Sequence, residues 1–180
     1  ERDSDMTYLN DWQNFYILIS TASATLIGLM FVATSLVVGL HRQYAEMDAG
    51  ISAFNTPTMF HFCAVLVIGV MLTAPWQQVQ SVRVLLGVVS LVGFVYLTFV
   101  SKRMQNVPER PTPMHDWVWY LVLPLCAYIG LFITALALSL NPAVGLYFVG
   151  LALLLLLLIS IRNAWDLVTF LVIERSNHKN

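Results

Sequence analysis

Between Phe15 and Leu40 the chain carries no charged side chain. At about 1.5 Å per residue a helix of that length covers about 39 Å, more than the roughly 30 Å of a bilayer's hydrocarbon core. Four further apolar tracts follow, at 57–74, 84–100, 117–140 and 143–161, the last containing six consecutive leucines from Leu153 to Leu158. None alternates apolar and polar residues in the manner of a barrel strand. The expectation is an all-α polytopic transmembrane helix bundle of about five spans, forming a single integral membrane domain.

Composition agrees. The chain of 180 residues is 58% hydrophobic and 11% charged, with a mean hydropathy of +0.74. Soluble domains carry about 25% charged residues, and a water-exposed surface this apolar would aggregate. Nine basic and ten acidic residues leave no basic stripe, so nucleic acid is not an expected partner. Cys63 and Cys126 both fall within apolar tracts and read as small buried hydrophobes rather than as a disulfide or metal pair.

Charge placement orients the chain. With five spans, Arg42, Lys102, Arg103, Arg110, Arg162, Arg175 and Lys179 share one side, and Arg2 and Arg83 take the other. The bias puts the N-terminus outside and the C-terminus in the cytoplasm, in the inner or plasma membrane. The aromatic residues Trp12, Trp76, Trp117, Trp119 and Trp165 fall near span ends, as interfacial belts require. Short connections join spans two and three through Pro75 and spans four and five through Asn141-Pro142, while the Lys102–Asp116 connector carries three prolines. The segment 162–175 reads as a continuation of the fifth helix, straight or bent, lying at the cytoplasmic interface. Arg162 and Asp166 can pair there at i, i+4, and Leu167, Val168, Leu171 and Val172 would rest on lipid or a neighbouring subunit.

No Asp, Glu, Lys or Arg lies near the middle of a span, which argues against a proton-driven pump or an ion-coupled carrier. Small and hydroxylic residues are prominent instead. Thr21, Thr25, Gly28, Val32, Ser35 and Gly39 recur at spacings that place them on one stripe of the first helix, and Gly130 and Thr134 extend a similar row in the fourth. Such rows let helices approach closely in lipid, and in an oligomer the hydroxyls can line a wetted path. Pro124 should deprive the Tyr120 carbonyl of its helical donor and make a hinge or kink in span four. His41, His61 and His115 are all placed near the inner face, where they form a candidate polar site, although their spacing matches no metal motif. No catalytic signature is present, and no cofactor is expected.

The run Ala24 to Ala33, ATLIGLMFVA, resembles the first helix of small prokaryotic membrane proteins. The resemblance covers one span and implies no activity. Three functions follow from the residues: a homo-oligomeric channel or pore-like protein built on the first helix, an accessory subunit of a larger membrane complex, and a histidine-based redox or metal protein.

Overall fold

In a computed structural model the described residues are 11–40, 48–76, 78–105 and 114–177. They form five helices: α1 (Gln13–Leu40), α2 (Asp48–Leu72), α3 (Val79–Gln105), α4 (Met114–Ala137) and α5 (Pro142–Asn177). No strand occurs among them. Four of the five are long and apolar enough to cross a membrane, and α2 contributes a shorter apolar stretch, Pro57–Leu72. The protein is therefore an α-helical, multi-pass membrane bundle.

The helices are apolar on nearly every side, which is how a helix reads when its neighbours are lipid and other helices rather than water. Leu18, Phe31, Phe99 and Leu151 point outward, while Phe62, Ile68, Leu86, Leu131, Leu153 and Leu156 are enclosed. α5 is the most enclosed of the long helices, packing along α1, α2 and α4, and α3 lies against α4 and the edge of α2.

Local chemistry sets the helix ends. Asn141 caps α5 by accepting the Val144 N–H at 3.2 Å, and Pro142 takes the first helical position, where no donor is needed. At the far side of the same turn, Arg83 of α3 donates from Nε to the Ala135 carbonyl at 2.9 Å. It thus covers one of the terminal carbonyls of α4 and sets a cation where the helix dipole favours one. Trp76 Nε1–H donates to the Met71 carbonyl at 2.6 Å, and Gln13 Nε2–H to the Thr73 carbonyl at 3.3 Å, so the end of α2 is satisfied as well.

The start of α2 and the surroundings of Leu167 differ from expectation, whereas the continuation of α5 agrees with it. α2 starts at Asp48, more than two turns before Pro57, which consequently lies inside the helix. α5 is a single helix of 36 residues, because nothing between Ile161 and Asp166 breaks it. Leu167, expected on lipid or a neighbour, is buried within the chain.

Candidate functional site

Besides the helix-end contacts around Arg83, Asn141 and Trp76, polar side chains occur inside the bundle, at the end where α4 begins, and on the outer face of α1.

Inside the bundle, His61 Nδ1 lies 3.0 Å from the Tyr128 hydroxyl, and both residues are fully buried. More than three turns of α2 precede His61, and nearly four turns of α4 precede Tyr128. Each therefore sits near the middle of its helix. Gly93 of α3 makes the pairing possible. A Cβ there would stand 2.5 to 2.7 Å from three atoms of the Tyr128 ring, and only a residue without one lets α3 approach. Phe60 and Tyr96 stack beside the pair with centroids 3.8 Å apart, and the Tyr96 ring meets His61 edge-on. On the α1 side, Ser23 Oγ–H donates to the Phe62 carbonyl at 2.7 Å, and Gly69 lies against Ser20 and the Tyr16 carbonyl. His61 Nε2, Tyr16 Oη and Asn163 Oδ1 are buried without a hydrogen-bond partner.

At the entry to α4 the backbone leaves α-helical register. Val118–Val122 is π-helical, with the Leu123 N–H reaching Val118 instead of Trp119. In the wider register the donor for Trp119 would be residue 124, which is Pro124 and has no N–H. The Trp119 carbonyl thereby loses both helical donors. Asn163 of α5 supplies the substitute, its Nδ2–H donating to that carbonyl at 3.4 Å. The effect of Pro124 is thus a change of register with an orphaned carbonyl at Trp119, satisfied across the helix interface. Arg162, the preceding residue, lies over the Trp119 ring at 4.2 Å, pairs with Asp166 at 2.8 Å and donates to His115 Nε2.

On α1, Thr21, Thr25, Gly28 and Ser35 all face away from the bundle, while the inward face consists of Tyr16, Ile19, Ser20, Ser23 and Met30. Thr25 returns its hydroxyl to the Thr21 carbonyl at 2.9 Å, and the space over Gly28 is open. Gly39 belongs to α1, but its surroundings, like all of His41, lie outside the described residues. In α4, Gly130 is half-buried with open space over its Cα, and Thr134 is buried and donates to the Gly130 carbonyl at 2.8 Å.

The structure keeps His61 and His115 apart. His61 is bonded to Tyr128, which lies more than three turns beyond His115 on α4, an axial distance of about 20 Å. Among the described residues no three His, Cys, Asp or Glu side chains converge as a metal site would require. Cys63 and Cys126, expected to be buried, both face outward, since each lies on the side of its helix turned away from the bundle. Tyr128, Gly93 and Ser23 carry no signal in the sequence, because their importance comes from contacts between distant helices. Asn163 left a legible one, being an amide in a long apolar helix. No protein-family model, curated protein or solved structure matches the chain.

Proposed function

We propose that this membrane protein works as a non-enzymatic homo-oligomer in the inner or plasma membrane, its N-terminus outside and its C-terminus in the cytoplasm. Subunits meet on the outer stripe of α1, and the hydroxyls of Thr21, Thr25 and Ser35 border a pore-like path between them. One observation carries the reading: this stripe faces outward, although it is richer in small and hydroxylic residues than lipid contact requires. The open notch over Gly28 suits close approach of a second α1. The seven-to-two partition of basic residues supports the orientation.

The test uses the chain reconstituted in liposomes. Subunit counting by photobleaching should give more than one copy per particle, and Gly28→Leu should shift the count towards one. A small-solute or ion leak that falls with the Gly28→Leu substitution supports the path between subunits. A stable oligomer without any leak removes the path and retains the association. A single copy under all conditions, or a stable complex with a different membrane protein in the source membrane, overturns self-association in favour of an accessory subunit.

A further inference from the structure

The buried polar residues are spread along the bundle rather than collected at one depth. Asn163 and Trp119 share a level, fixed by their hydrogen bond. Tyr128 lies nine residues further along α4, placing the His61–Tyr128 pair about 13 Å deeper. Between those levels come Ser160, three residues before Asn163 on α5, and Thr58, three residues before His61 on α2. Each is displaced by about 4.5 Å along its helix. All four residues, Asn163, Ser160, Thr58 and His61, are fully enclosed, and they lie on two helices that pack against each other. The four thus follow one another in depth along the contact between α2 and α5.

The two ends of the series carry the unmet demand. Asn163 Oδ1 and His61 Nε2 have no partner, although each is buried. In a bilayer core an unsatisfied polar atom costs several kcal/mol, and an imidazole is a poor packing residue compared with phenylalanine or leucine. Buried groups of this kind are ordinarily met by ordered water, which needs two to four polar partners. Ser160 Oγ donates to the Leu156 carbonyl and keeps its lone pairs for an incoming donor.

We propose that water enters the bundle from the Arg162 end and reaches His61 by way of Asn163, Ser160 and Thr58. The path stops at the Tyr128 hydroxyl and leaves a water-served imidazole near mid-membrane, open to one side only. This path runs through a single subunit and involves none of the α1 stripe, so it stands or falls independently of self-association.

Two measurements test it in liposomes. In a chain carrying Cys63→Ala and Cys126→Ala, Ser160→Cys and Thr58→Cys should react with a small cationic methanethiosulfonate. The rate should be at least about tenfold above that of Val67→Cys, which faces outward, since only a hydrated thiol ionises and reacts. Adding Asn163→Leu should slow both. Rates no faster than that of Val67→Cys overturn the proposal, as do rates indifferent to Asn163→Leu. Water-edited solid-state NMR of the unsubstituted chain decides the matter if a cysteine variant fails to fold. The His61 ring carbons, assigned by their loss in His61→Phe, should receive polarisation from water nearly as fast as those of His115. Transfer as slow as to outward-facing leucine methyls overturns the path.

Discussion

At the scale of single residues the bundle is held by a few close approaches, and glycines show the contrast best. Gly93→Ala would drive a methyl group into the Tyr128 ring, which is fully buried and has no free direction to move. We expect a loss of about 1–3 kcal/mol, read as a lower midpoint in thermal or denaturant unfolding in detergent. Gly28→Ala meets nothing within 4 Å in its own subunit and should leave that midpoint nearly unchanged, even though it lies in a helix of the same kind. Tyr128→Phe keeps the ring and removes only the hydroxyl. His61 Nδ1 then loses its partner, and the expected cost is about 1–3 kcal/mol in the same measurement. A Tyr128→Phe chain as stable as the parent would show that another group readily takes over at Nδ1.

At the scale of elements, α4 and α5 are coupled through the π-helical turn. Asn163→Leu strips the Trp119 carbonyl of its donor and should cost about 1–3 kcal/mol. Pro124→Ala returns a backbone N–H to residue 124, which can then serve Trp119 directly. The two substitutions should therefore be non-additive: Asn163→Leu should cost about 1 kcal/mol less in the Pro124→Ala background, as a double-mutant cycle would record. Additive effects would mean that Asn163 stabilises the interface in some other way. The helices themselves were legible in the sequence, because charge-free tracts and Asn141-Pro142 carry their signals locally. Pro124 was legible as a disturbance, but the carbonyl it orphans was not. The register the chain adopts depends on what α5 offers, and Asn163 belongs to a different helix, beyond the turn that ends α4. The His61–Tyr128 pair was hidden for the same reason, since its partners are separated by 67 residues and are joined by tertiary packing alone. His61 itself was visible near the start of the apolar stretch 57–72, but the helix that carries it begins earlier, at Asp48. The α1 stripe was visible as a pattern, and only the packing of the other helices assigns it to the outer face.

At the scale of the whole molecule, α5 joins the parts. It packs along α1, α2 and α4, starts at a capped turn beside Arg83, and carries Arg162 and Asn163 at the opposite end. Arg162→Ala removes the ion pair with Asp166 and the contacts with Trp119 and His115 together. Because these contacts are partly exposed, we expect a modest change in global unfolding. The local effect should be larger, with faster amide hydrogen exchange at 114–122 than at 123–137 of the same helix.

A helix of 36 residues is about 54 Å long, against roughly 30 Å of hydrocarbon. Its first residue is tied into a tight turn, so the surplus of about 24 Å emerges on the side where Arg162 lies, unless the rod leans steeply. The emergent portion and the innermost strut of the bundle are then one unbroken lever. A tug or twist applied to it outside the membrane is felt at Leu153 and Leu156 without passing through any joint.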